Sequence, residues 1–184
     1  MNEQKKPTTD NSRPVIKTLL IVRHAKSSWG VEALTDFERP LNDRGKKDAP
    51  VMAQRLLDKN IQIDAFVSSP AKRAKKTAEL FAEVYGYKVA DINFLSALYQ
   101  APVSVFAEVI AQLEDDINSV ALFSHNPGIT SFVNSLVPEK VQLDNMPTCA
   151  VFAIQAHITK WADFEKAKKE FLFFDYPKLN TSSS

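Results

Sequence analysis

Three short apolar runs constrain the fold more than any other feature of the chain. They are Thr18-Leu-Leu-Ile-Val22, Asp64-Ala-Phe-Val67 and Ser119-Val-Ala-Leu-Phe123, and no polar residue interrupts any of them once begun. Such runs read as strands buried on both faces, the condition of a parallel sheet. Between them lie segments of helical period. Asn42 and Asp43 can cap a helix in which Ala49, Met52, Ala53, Leu56 and Leu57 recur on one face. A second helix is predicted from Ala71 to about Tyr85, closed by Gly86. A third covers Val103 to Leu113, and Asn126-Pro-Gly opens a fourth that runs through Leu136. Further strands are predicted at Val89 to Ile92, Ala150 to Gln155 and Phe171 to Phe174. Strands alternating with helices predict an α/β sandwich with a largely parallel sheet.

At 184 residues the chain is most simply one domain, large enough to bury a core without a disulfide or structural metal. The polar residues 1–14 are expected to form a disordered tail, residues 15–178 a single unit, and residues 179–184 a frayed end. A formal charge of +1 argues against a general nucleic-acid binder. No apolar run is long enough to cross a membrane, no signal-peptide core precedes the first strand, and Cys149 is the lone cysteine. Those features predict a cytoplasmic protein with no membrane or nucleic-acid partner.

In a parallel sheet, ligands collect outside the carboxyl ends of the strands. The first run ends in Arg23-His24-Ala25-Lys26-Ser27. The second leads into Ser68-Ser-Pro-Ala-Lys-Arg73-Ala-Lys-Lys-Thr77-Ala78, and the third ends in Ser124-His125-Asn126-Pro127-Gly128. Two arginines and two histidines thus reach one edge, with no acid among those three segments. Arginine forks match phosphate oxygens, helix N-termini add backbone N–H groups, and histidine offers a nucleophile or a proton. Taken singly, His24 reads as a satisfied strand-end histidine, Arg73 as part of a solvated lysine-rich helix face, and His125 as a turn residue. Their coincidence at three strand ends favours an anion site. His157 has no partner motif and reads as surface. No residue spacing suits a metal, and no glycine-rich loop is present.

Together, Arg23-His24-Ala25, Ser68-Ser-Pro-x-x-Arg73-Ala-x-x-Thr77-Ala78 and Ser124-His125-Asn126-Pro127 resemble the histidine phosphatase superfamily. The segment Asp36-Phe-Glu-Arg39-Pro40-Leu41-Asn42-Asp43-Arg44-Gly45 is similar to that of the compact SixA-type phosphohistidine phosphatases. The resemblance spans roughly residues 17–155 and implies a three-layer, phosphoglycerate mutase-like α/β/α sandwich. It implies metal-independent hydrolysis, without a cofactor, through a phosphohistidine intermediate. His24 would be the nucleophile, Arg23 and Arg73 would grip the phosphoryl oxygens, and His125 would stabilise their charge. Arg39 would be a further phosphate ligand. Ala25 stands where the superfamily usually has glycine, a small replacement with little expected effect.

Larger superfamily members carry an acidic general acid between the second arginine and the second histidine. Here the corresponding loop, Leu98-Tyr-Gln-Ala-Pro102, has no carboxylate, and among the acids of that interval Glu108 is the candidate left open. An alcohol leaving group benefits from such an acid, whereas an imidazole protonated by solvent leaves neutral. The empty loop therefore favours phosphohistidine on a protein as substrate, with inorganic phosphate as product. Trp29, Leu34, Phe37 and Tyr99 are expected near the rim of the pocket. The alternatives are a phosphatase or mutase for a small-molecule phosphate ester, or a binding module for a phospho-ligand without chemistry.

Overall fold

The computed structural model describes residues 14–30 and 35–179. The expected N-terminal tail (all but Pro14), Leu34 and the C-terminal residues from Asn180 lie outside the described residues. In chain order the regular elements are β1 (Val15–Arg23), α1 (Asp43–Asp58), β2 (Ala65–Ser68) and α2 (Lys72–Val84). They continue with β3 (Ile92–Phe94), α3 (Val103–Ala111), β4 (Ser119–Ser124), α4 (Gly128–Leu136), β5 (Val151–Ile158) and β6 (Lys169–Asp175). One sheet has the order β3-β2-β4-β1-β5-β6. The pairings β3/β2, β2/β4 and β4/β1 are parallel, and β1/β5 and β5/β6 are antiparallel.

The apolar runs behave as two-faced strands. Leu20 and Val22 of β1 pack on one side against Met52, Leu56 and Phe81 of α1 and α2. Leu19 and Ile21 face the other side, with Phe106 of α3 and Phe132 and Val133 of α4. Residues 19 to 22 are all fully buried, which is why the run carries no polar alternation. The result is the three-layer α/β/α arrangement.

Local signals explain the element ends. The Asn42 side chain accepts a hydrogen bond from the Gly45 N–H at 2.9 Å, capping α1. Gly86, at φ +76°, closes α2: its N–H bonds Glu83 O, and the Tyr87 N–H bonds Ala82 O. That pair of bonds is the Schellman pattern, which a glycine accommodates without strain. Several boundaries differ from the sequence reading by a few residues, among them those of β1, β3, α3, β5 and β6. Val89–Asp91 is a 3-10 turn, because the Asp91 carboxylate takes the Lys88 N–H, and the strand begins at Ile92. The first strand begins at Val15, not Thr18, because residues 15–17 pair with Ile158, His157 and Ala156 of β5; Lys17 is buried there, its ammonium reaching the Asp115 and Ile117 carbonyls at 2.9 and 2.8 Å. His157 lies within β5, on an exposed position.

Candidate active site

The parallel register puts the ends of β1, β2 and β4 side by side, with Arg23 level with Ser124 and Ser68 level with Phe123. The three sequence segments therefore do converge. Backbone bonds set their relative positions: the His24 N–H donates to Ser124 O and the Ser69 N–H to Phe123 O. The Ala25 N–H is held at 2.9 Å by the hydroxyl of Thr77, which itself donates to Arg73 O. Ala25 is completely buried, so only a small side chain fits where the motif bends away from β1. Helices α2 and α4 both point their N-termini at this edge, a favourable field for an anion.

A fourth segment arrives from an unforeseen direction. Because β5 runs antiparallel to β1, it is the start of β5 that reaches this edge, paired as Val22 with Val151. The preceding loop is laced to the motif: the Cys149 N–H bonds Arg23 O and His24 O, and the Arg23 N–H bonds Ala150 O. The Arg23 guanidinium donates to Met146 O at 2.6 Å.

Within this frame His24 is nearly buried. Its Nδ1 lies 2.8 Å from Ala25 O, an acceptor only, so Nδ1 carries the proton and Nε2 keeps its lone pair. The Nε–H of Arg73 donates to that lone pair at 3.2 Å. Burial, chiefly, and the charges of Arg73 and Arg23 push the His24 pKa down to about 2. His125, whose ring lies 5.2 Å from that of His24, is pushed to about 3 by burial and by Arg73. Its Nε2 is 2.7 Å from the Ser69 hydroxyl. Both rings are thus neutral at physiological pH. Two buried polar atoms here have no hydrogen-bond partner in the protein, Arg23 Nε and His125 Nδ1.

Asp36 is the residue that motif reading missed. It stands three residues before Arg39 in the 3-10 turn Asp36–Glu38 and turns inward. One carboxylate oxygen meets Arg39 at 2.7 Å, and the other meets Arg73 at 2.9 Å and accepts from the Tyr99 hydroxyl at 2.8 Å. Partial burial alone would raise its pKa, but the Tyr99 and Arg73 hydrogen bonds and the two guanidinium charges outweigh this and hold it ionised. The three strand-end segments carry no acid, and Asp36 joins them from the separate 3-10 turn at 36–38. The available signal was its position in the Asp-x-x-Arg-Pro-Leu segment, one helical turn from an arginine.

These residues enclose a cavity of about 290 Å³ lined by Arg23, Arg39, Arg73 and Lys26, with Asp36 as its one carboxylate among the described residues. The cavity is therefore strongly cationic around two neutral imidazoles. Trp29, 76% exposed, lies at its mouth with the Arg39 guanidinium 3.4 Å over its ring. Phe37 packs edge-on against Tyr99, and Tyr99 edge-on against His125. Glu108 is exposed on α3 and does not line the cavity.

Residues 19–98 match the family model of the histidine phosphatase superfamily (branch 1). An uncharacterized chloroplastic protein of Arabidopsis thaliana is 27% identical over 161 residues, covering 83% of this chain and 72% of the relative. A probable 2-carboxy-D-arabinitol-1-phosphatase of the same organism is 27% identical over 124 residues, 60% of this chain and 25% of that protein. The solved structure of the protein histidine phosphatase SixA complexed with tungstate superposes with a TM-score of 0.73 at 22% identity. That superposition covers 87% of this chain and 97% of the other. Residues 19–98 thus match the histidine phosphatase superfamily, and the fold as a whole is similar to that of SixA.

Proposed function

We propose that the chain removes phosphate from phosphohistidine in proteins, using His24 as nucleophile. The observation that carries the reading is the geometry of the His24 ring: Nδ1–H fixed on Ala25 O, and a free-base Nε2 beside the Arg73 fork. The Nε2 lone pair attacks phosphorus, a P–Nε2 bond forms, and the substrate P–N bond breaks with its electron pair on the departing imidazole. That imidazole takes a proton from solvent and leaves neutral. Water then attacks the phosphoryl group, the P–Nε2 bond electrons return to His24, and phosphate departs with the remaining protons shared with solvent. Arg23, Arg73 and His125 bear on the phosphoryl oxygens, and Arg39 extends the same cationic wall. Positioning and charge neutralisation of this kind supply most of what phosphoryl transfer needs.

The choice of substrate follows from the carboxylate. Asp36 is held ionised by Arg73, Arg39 and Tyr99, so it has no proton to give a departing alkoxide. A leaving imidazole needs no such donor. The exposed rim, with Trp29 and Phe37, also admits a side chain that protrudes from a larger molecule. The test is phosphate release, in EDTA, from a phosphohistidine peptide and from p-nitrophenyl phosphate, each with His24→Asn alongside. Peptide turnover that disappears in the variant is expected. Turnover of the aryl ester alone would move the substrate to a small molecule, and undiminished turnover by His24→Asn would overturn the mechanism.

A further inference from the structure

A second cavity, of about 440 Å³, lies between the N-terminal turns of α1 and α2. Pro40 and Leu41 form its apolar floor, and Lys46, Lys72, Lys75 and Lys76 surround it. All four lysines are exposed. Its single carboxylate among the described residues, Glu79, is already engaged by Lys76 at 3.2 Å. Lys46 has only a distant contact, 3.9 Å, with the almost fully exposed Asp43, and Lys72 has no carboxylate partner among the described residues. Like charges crowded on one face with so few counter-charges present a strong positive potential to an approaching partner.

The cavity adjoins the candidate active site through two peptide bonds. Pro40 follows Arg39 and Lys72 precedes Arg73, and Arg39 and Arg73 both line the first cavity. Its chemistry, however, differs. Arginine forks next to His24 suit one planar-faced phosphoryl group, whereas spread lysines are mobile point charges that tolerate several carboxylates in varied geometry. Pro40 and Leu41 add an apolar strip of the kind that side chains of a peptide cover.

We infer that the groove between α1 and α2 docks an acidic stretch of the polypeptide that carries the phosphorylated histidine. The inference rests on the phosphohistidine reading above and adds to it a sequence preference in the substrate. A chain extending from the phosphorylated residue over the Arg39–Pro40 wall enters the groove within a few residues, where its carboxylates meet Lys46, Lys72, Lys75 and Lys76.

The experiment compares two phosphohistidine peptides of equal length, one flanked by Asp and Glu and one by Ser. Each is assayed with the wild-type chain and with the triple variant Lys46→Gln, Lys75→Gln, Lys76→Gln, and p-nitrophenyl phosphate serves as the control. The wild type is expected to favour the acidic peptide by about tenfold in kcat/KM at low salt, mainly through KM. That preference should shrink toward unity at roughly 0.5 M salt and in the triple variant, with the aryl phosphate turned over within about twofold of wild type. Equal kcat/KM for both peptides, or a preference that survives in the variant, would overturn the docking surface while leaving the phosphohistidine reading intact. Hydrolysis of the aryl phosphate with neither peptide turned over would remove that reading, and the docking surface with it.

Discussion

The depressed basicity of His24 has a measurable consequence for the stability of the whole chain. A histidine in the unfolded chain has a pKa of about 6.5. In the folded protein His24 sits near 2, because burial and the neighbouring guanidinium groups oppose its protonation. Between those values the unfolded state binds the proton and the folded state does not, so stability rises with pH across this window and is lost as pH falls. At full separation one proton is worth about 1.36 kcal/mol per pH unit. Integrating the unfolded-state titration from pH 7 to pH 5 gives a loss of about 2 kcal/mol from His24 alone, and a similar loss from His125. The perturbation is His24→Asn, which removes one titrating group and leaves every other in place. Urea unfolding of both proteins at half-unit steps from pH 7 to 5 gives the difference in unfolding free energy at each pH. That difference should move by about 2 kcal/mol in favour of the variant as pH falls. A pH-independent difference would show that His24 takes up its proton in the folded protein as readily as in the unfolded chain. The neutral nucleophile proposed at His24, and with it the proposed mechanism, would then lose its physical basis.

Other consequences follow from the same contacts. Because both imidazoles stay neutral above about pH 4, kcat/KM for p-nitrophenyl phosphate, corrected for ionisation of the substrate, should show no histidine limb between pH 5 and 8. An acid limb near 6.5 that disappears with either histidine would contradict this. Asp36→Asn should release the Arg73 and Arg39 guanidinium groups and lower kcat by about tenfold with the fold intact; unchanged kinetics would mean Arg73 is held without it. In Gly128→Ala the new Cβ would meet the Ala101 carbonyl oxygen at 1.9 Å, an atom of the backbone that cannot swing aside. The expected cost is about 3 kcal/mol, or a melting point lower by roughly 6–12 °C, and an unchanged Tm would refute the packing. Lys17→Met should strand the Asp115 carbonyl, leave the Ile117 carbonyl with only its bond from the Trp161 indole N–H, and destabilise the chain by about 2 kcal/mol, measured by denaturant unfolding, with kcat unaltered.

What could be read from the sequence, and what could not, divides along physical lines. Leu19 to Val22 and Val120 to Phe123 announced buried strands because both faces are covered, and a strand covered on both faces leaves no alternation to misread. Arg23, His24, Arg73 and His125 could be grouped because parallel register brings equivalent strand ends together whatever their separation in the chain. Asp36 could not be placed in this way. It reaches the site from a 3-10 turn, through side-chain contacts to Arg73, Arg39 and Tyr99 that no periodicity encodes. The approach of Met146 and Cys149 depended on the antiparallel direction of β5, and strand direction leaves no mark on an apolar run. Lys17 lay outside the apolar run from which β1 was read, because its charge breaks that run, whereas in the fold its ammonium is covered by two carbonyls and by the ring of Trp161.

The position of β4 between β2 and β1 also orders events in time. Arg23 and His24 on one side, and the segment leading to Arg73 on the other, are made early in synthesis, yet β1 and β2 do not touch each other in the sheet. They become neighbours of a common strand only when Ser119–Ser124 inserts between them, about a hundred residues after β1 began. A nascent chain that has emerged only as far as α3 therefore holds Arg23, His24, Arg39 and Arg73 and no means of gathering them. Contacts of such long sequence separation form late and slowly. The three strand-end segments of the candidate site come together with the strand that also delivers His125.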